Sequence, residues 1–167
     1  MRQRSSGLFY KASFLCRLCL KNRQSRKVKR LSHSRIIMKI ITKEILADCQ
    51  GTRVVKLTVH APDIAAKARA GQFAMLMVKE EGERIPLTVV ETDPQKGTIT
   101  LILQEIGLTT KFLGRMEPRD SLYSIVGPLG HPTHIAKYGR VILIGGGVGI
   151  AEIYPVARAL KIAGNQV

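Results

Sequence analysis

Three stretches of this sequence set chemically capable groups at spacings that could hold a ligand. In Arg84-Ile85-Pro86-Leu87-Thr88, a guanidinium, a flat apolar pair and a hydroxyl stand at the entry to a predicted strand. A guanidinium can hold a phosphate through two parallel hydrogen bonds, so Arg84 suits an anion. The same residues also read as an arginine ending a charged turn and a proline opening an edge strand. Gly107-Leu108-Thr109-Thr110-Lys111 leads into a short helical stretch through Phe112 and Leu113. Free amides and hydroxyls at a helix start bind anions, although Thr109 also reads as a plain N-cap. The third stretch is Gly145-Gly146-Gly147-Val148-Gly149, between an apolar run and a helical pattern. Glycines let a backbone approach a pyrophosphate, and the following helix points its positive end at it. The match to G-x-G-x-x-G fails at its last place, which falls on Ile150, and no Lys-Ser/Thr follows as in a P-loop, which disfavours ATP chemistry. His60, His131 and His134 read as turn or surface residues, and no side chain is required as a general acid or base.

These stretches need elements to position them. A chain of 167 residues suits one domain, or one domain and part of another. Short runs rich in Ile, Val, Leu and Thr cover residues 39–47, 53–60, 73–78, 87–91, 98–103 and 122–126. In the second run Val55, Leu57 and Val59 alternate with Lys56, Thr58 and His60, as a half-buried strand requires. Asp93-Pro94-Gln95-Lys96-Gly97 joins the fourth and fifth runs as a hairpin loop. Six such runs without a long intervening helix predict a small closed barrel. The pattern changes after Tyr138. Residues 140–144 read as an apolar strand buried on both faces, and residues 150–163 as a helix stopped by Gly164-Asn165, with a strand beginning at Gln166-Val167. Strand, glycine loop and helix form the opening of an α/β nucleotide-binding domain. The expected organisation is a basic extension over 1–37, a barrel over 38–137 and the start of an α/β domain over 138–167.

Composition narrows the classes. Apolar residues make up 45% and charged residues 23%, which excludes wholesale disorder. No apolar run reaches the length of a membrane span. Three cysteines are too few for a disulfide framework, so a reducing, cytoplasmic setting is expected. Cys16-Arg17-Leu18-Cys19 has half the spacing of a zinc site and no second pair to complete it. The formal charge of +15 is unevenly spread: residues 1–37 carry 11 Lys/Arg and no acid, so any electrostatic argument concerns that segment. Its Arg- and Ser-rich composition fits a transit peptide, a start site placed upstream of Met38, or a basic arm touching RNA or anionic lipid. RNA binding by the barrel itself is disfavoured, since aromatics total 5% and are not interleaved with Lys/Arg.

Taken together, Gly71-Gln72-Phe73, Arg84-Ile85-Pro86-Leu87-Thr88, Leu103-Gln104-Glu105-Ile106-Gly107-Leu108-Thr109-Thr110, Gly127-Pro128-Leu129-Gly130 and the glycine loop with Tyr154-Pro155 resemble, in this order, the ferredoxin–NADP reductase superfamily. The nearest branch is that of the dihydroorotate dehydrogenase electron-transfer subunits and of the ferredoxin–NADP reductase alpha and sulfide dehydrogenase subunits. The resemblance runs from Met38 to Val167 and implies a six-stranded all-β flavin-binding barrel followed by the first βα unit of an α/β nucleotide-binding domain. It implies that Arg84 contacts FAD phosphates, that Pro86 and Leu87 line the isoalloxazine, and that Thr88 lies near its reactive nitrogen. Gly107, Thr109 and Thr110 would cradle the pyrophosphate, and the backbone of Leu103, Gln104 and Glu105 would run along the ribityl or adenosine part. Gly146, Gly147 and Gly149 would face an NAD(P) pyrophosphate. Glu152 stands where the family often has proline. The implied function is electron transfer from NAD(P)H through FAD to an iron–sulfur partner or second catalytic subunit. The family's own [2Fe–2S] cysteine cluster has no counterpart here, so the sequence also reads as a C-terminally shortened, inactive member; a basic RNA-binding barrel is the other alternative. A chain beginning at Met38 is expected to fold and hold flavin as the full chain does; loss of soluble protein on that deletion would show that the basic segment is part of the fold.

Overall fold

The structure, a computed structural model, describes residues 38–49 and 51–167. The basic segment 1–37, with its Cys16 and Cys19, lies outside the described residues. The order is β1 (Met38–Cys49), β2 (Thr52–His60), α1 (Pro62–Ala65), β3 (Phe73–Met77), β4 (Arg84–Thr88), β5 (Glu91–Asp93), β6 (Thr98–Gln104), α2 (Leu108–Arg115), β7 (Ser121–Leu122), β8 (Ser124–Leu129) and α3 (Gly149–Ile162). Among the described residues no helix is long and apolar enough to cross a membrane.

The strands form two antiparallel sheets, ordered β5-β6-β2-β1-β7 and β4-β3-β8. The alternation in β2 sets the register: Val55, Leu57 and Val59 lie opposite Leu103, Leu101 and Ile99 of β6, and all six are fully buried. Their inward face meets Ala74 and Leu76 of β3, Ile85 of β4 and Ile125 of β8 in one core. A period of two side chains per strand repeat makes this face all or nothing, so a one-residue slip would expose every one of these side chains.

The sequence predicts six strands closing one barrel. The structure has eight, in two sheets, because two of the six runs change partners partway. In the run predicted over 87–91, Val89 N–H donates to Gln72 O at 3.1 Å, and the next amide, Val90 N–H, donates to Thr100 O at 2.9 Å. β4 therefore belongs to one sheet and β5 to the other. The run at 122–126 divides in the same way, Leu122 pairing with Met38 and Ser124 with Met77.

Gln72 joins three segments at the rim of the smaller sheet. Its side chain accepts from Arg69 N–H at 2.9 Å and donates to Gly130 O at 2.9 Å, while its carbonyl receives Val89. Gly71 has φ +88° and packs directly against Thr133, so a Cβ there would be strained and would collide. This accounts in physical terms for Gly71-Gln72-Phe73 and for the turn ending in Gly130. In the β5–β6 turn, Asp93 accepts from the backbone N–H groups of Lys96 and Gln95, and these bonds, led by that from Lys96, hold its carboxyl below the usual carboxylate range.

The strand predicted over residues 140–144 does not form. A single parallel bridge joins Arg140 and Gln166, and Ile142 and Ile144 are 81% and 90% exposed. An apolar strand of this type needs neighbours on both edges and cover on both faces; among the described residues Gln166 alone bridges to it. Besides the backbone bonds from Val141 N–H to Gln166 O and from Gln166 N–H to Gly139 O, Asn165 ties this region together. Its Oδ1 accepts from the amides of Tyr138 and Gly139, and its Nδ2 donates to Ala136 O and Leu160 O. The helix predicted over 150–163 appears as α3.

Replacing Gln72 with Leu removes two hydrogen bonds and leaves Gly130 O without its partner. We expect a loss of about 1–3 kcal/mol in urea unfolding, against about 2–5 kcal/mol for Leu101→Ala in the core. An unchanged midpoint for Gln72→Leu would refute its linking role.

Candidate functional site

β4 runs antiparallel to β3, with Arg84 opposite Met77 and Thr88 opposite Phe73. Strand alternation turns Ile85 into the core and leaves Arg84 and Pro86 exposed, with Leu87 and Thr88 half-buried. Among the described residues Arg84 makes no ion pair. The residue before it, Glu83, reaches the start of α2: Thr109 Oγ1 donates to Glu83 Oε2 at 2.8 Å. This contact brings the first two predicted stretches together across 26 residues of sequence.

The first turn of α2 is closed by Thr110, where the sequence offered Thr109 as the cap. Thr110 Oγ1 accepts from Gly107 N–H at 3.0 Å and Ile106 N–H at 3.2 Å and donates to Gly107 O at 3.0 Å. Its hydroxyl is committed to the backbone, and the hydroxyl presented outward is that of Thr109. A Cβ on Gly107 would meet nothing nearer than Thr110 Oγ1 at 3.9 Å, so ligand atoms can approach the backbone there. Beside Thr109 a cavity of about 440 Å³ is walled by Val78, Lys79, Leu108 and Phe112 and by the acids Glu81 and Glu83. Lys79 Nζ sits 4.2 Å above the Phe112 ring, a cation–π contact that keeps an ammonium at its edge.

The junction from β6 into α2 depends on Glu105. Its Oε2 accepts from Arg53 Nε and Nη2 at 3.1 and 3.0 Å, and its amide donates to Arg53 O at 2.9 Å. The carboxylate is 7% exposed, and its Oε1 is buried with no hydrogen-bond partner among the described residues. It lies directly under Gly114, where a Cβ would collide with it. Leu103 points into the core. Of the three predicted residues 103–105, then, Leu103 and Glu105 are buried and Gln104 is half-buried. Arg53 and Glu83 were missed by the sequence reading: one is a charge in a half-buried strand, the other one acid in an acidic turn, and neither has a spacing that signals its partner.

The glycine loop lies elsewhere. Gly147 has φ +55°, and Cβ atoms at Gly146, Gly147 and Gly149 would meet nothing within 4 Å, so the loop presents bare backbone ahead of α3. Gly147 and Val148 face Val54, Lys56, Val90 and Ile102 across a cavity of about 330 Å³. Arg158 of α3 reaches Glu91 at 3.7 Å, and both are substantially exposed, so this pair contributes little. The third stretch thus shares a cavity with Val90 and Glu91, just past Thr88 of the first. No group of three or more His, Cys, Asp or Glu among the described residues could hold a metal ion.

Arg53→Met would strand the Glu105 carboxylate. We expect about 2–4 kcal/mol of lost stability at neutral pH, somewhat below the full cost of breaking a fully buried pair because Arg53 is part-exposed. Chemical denaturation measures this, and no loss would mean that Glu105 reaches solvent.

No family model matches the sequence. The chain is 47% identical over 109 residues to a dihydroorotate dehydrogenase B electron transfer subunit homolog of Thermotoga maritima, covering 65% of this chain and 39% of the relative. It is 30% identical over 136 residues to the dihydroorotate dehydrogenase B electron transfer subunit of Geobacillus thermodenitrificans, covering 78% of this chain and 51% of that protein. Among solved structures it is similar to a chain of the NADH-dependent reduced ferredoxin–NADP oxidoreductase, with a TM-score of 0.73 and 43% identity over 77% of this chain and 45% of the other. The chain therefore spans about half the length, or less, of the relatives it matches.

Proposed function

The chain belongs to the ferredoxin–NADP reductase superfamily, and on that premise we propose that it holds FAD for electron transfer between NAD(P)H and an iron–sulfur partner subunit. The observation that carries this reading is the junction of Arg84 and Glu83 with the start of α2. Arg84 is exposed on β4, and the residue before it, Glu83, is bonded to Thr109 at the helix N-terminus next to the open backbone of Gly107. A helix end supplies only about half a positive charge, so Arg84 is the natural complement to a pyrophosphate.

The residues present fit FAD. Arg84, Thr109 and the first-turn amides that follow Gly107 would hold its phosphates, with Thr110 fixing the shape of that turn through its bonds to Gly107. Pro86 and Leu87 offer a flat apolar edge for the isoalloxazine, keeping water from one side of it, and Thr88 sets a hydroxyl at its end. The segment Leu103, Gln104 and Glu105 would run beside the ribityl or adenosine portion, reached from the half-buried Gln104. Gly146, Gly147 and Gly149 would admit the pyrophosphate of NAD(P). In this reading residues 38–137 form the flavin module and residues 138–167 open the nucleotide module. Bound FAD would accept a hydride from NAD(P)H and release its electrons singly. The described residues offer no ligand set for an iron–sulfur centre, so that cluster is assigned to a partner or to other parts of the whole protein.

Purified full chain incubated with FAD and desalted is expected to keep a yellow flavin spectrum. Arg84→Ala should weaken FAD binding about ten- to a hundredfold, the size of one lost charge-assisted interaction, and Arg84→Lys should fall between. A colourless wild-type protein would overturn the flavin reading; equal FAD affinity in Arg84→Ala would remove Arg84 from the site.

A further inference from the structure

We propose that Glu83 competes with the flavin's phosphates for Thr109 and thereby sets the affinity of this site, an inference that rests on the flavin reading above. The 2.8 Å bond from Thr109 Oγ1 to Glu83 Oε2 lies at the second residue of α2. Amides of a first helical turn lack intrahelical partners, and the positive end of the helix lies there, so an anion is stabilised at this position. Glu83 supplies one from within the chain.

Three features make it a competitor and not a fixed part of the wall. Among the described residues Glu83 makes no ion pair, either with the adjacent Arg84 or with Lys79, whose ammonium lies over Phe112 instead. Its side chain is exposed and follows the Lys79–Gly82 turn, so it can swing into water at the cost of one hydrogen bond. Thr110 cannot substitute for Thr109, because its hydroxyl is committed to Gly107. A phosphate taking Thr109 must therefore break the Glu83 bond and meet a like charge beside it. Flavin enters against an internal carboxylate, and ligands with a stronger negative charge than a carboxylate are the ones that displace it.

The test uses the full chain and titrates FAD at low salt against wild type and Glu83→Gln, which keeps the side chain's size and removes its charge. FAD should bind about two- to fivefold tighter to Glu83→Gln, the size of one exposed charge interaction. The gain should shrink in about 0.5 M NaCl. It should vanish when Thr109→Val is added, and riboflavin, which has no phosphate, should bind both chains alike. A purely structural effect of the substitution would shift riboflavin too and would persist in salt. Equal or weaker FAD binding by Glu83→Gln, or a matching shift for riboflavin, overturns the inference and leaves the flavin reading standing. Failure of both chains to bind FAD overturns the flavin reading and this inference with it.

Discussion

Two consecutive amides organise this molecule. Val89 N–H donates to Gln72 in one sheet and Val90 N–H to Thr100 in the other, so the chain passes between the sheets within a single residue step. Each strand has only two edges to share, and a chain that changes sheet there joins the two ladders around one apolar core. Val89 and Val90 are both buried at the crossing, which seals that side of the core. The neighbouring β4, tied to β3 over its whole length, is thereby held at the rim with its alternate side chains outward.

That constraint places the site. With Ile85 fixed inside, Arg84 and Pro86 have to face solvent, and the turn before them reaches the start of α2 through Glu83 and Thr109. The helix is itself anchored from below: Glu105 pairs with Arg53 from β2 and occupies the space that Gly114 leaves open. Burying a carboxylate is costly unless it is paired, and here the pair commits the β6–α2 junction to one position. The strand that carries Arg84 and the helix end beside Gly107 are thus held by separate parts of the same core.

The glycine loop is held less firmly. α3 meets the sheets through an exposed ion pair and across cavities, and the apolar residues before it stay largely in solvent. Asn165, with four hydrogen bonds to backbone groups, does there the work that a sheet does elsewhere. The surface around β4 and the start of α2 is consequently anchored on several sides, and the glycine loop is the part whose surroundings are sparse.

Much of this was legible in the sequence, for a definite reason. The alternation of Val55, Leu57 and Val59 dictates a strand with one buried face whatever surrounds it, and residues 98–103 and 150–163 obey their own periods in the same way. Glycines at 107, 146, 147 and 149 announce open backbone locally, and Arg84 is chemically suited to an anion wherever it stands. Sheet membership is not a local property. Nothing within residues 87–91 says that the run must divide between Val89 and Val90, because the choice depends on Gln72 and Thr100, which the fold brings from either side. For the same reason residues 140–144 have the composition of a buried strand and do not form one: partners decide, and composition only permits. Glu83 with Thr109 and Arg53 with Glu105 are likewise pairings across 26 and 52 residues. Their energy comes from proximity, and proximity is settled only when the two sheets close on their shared core.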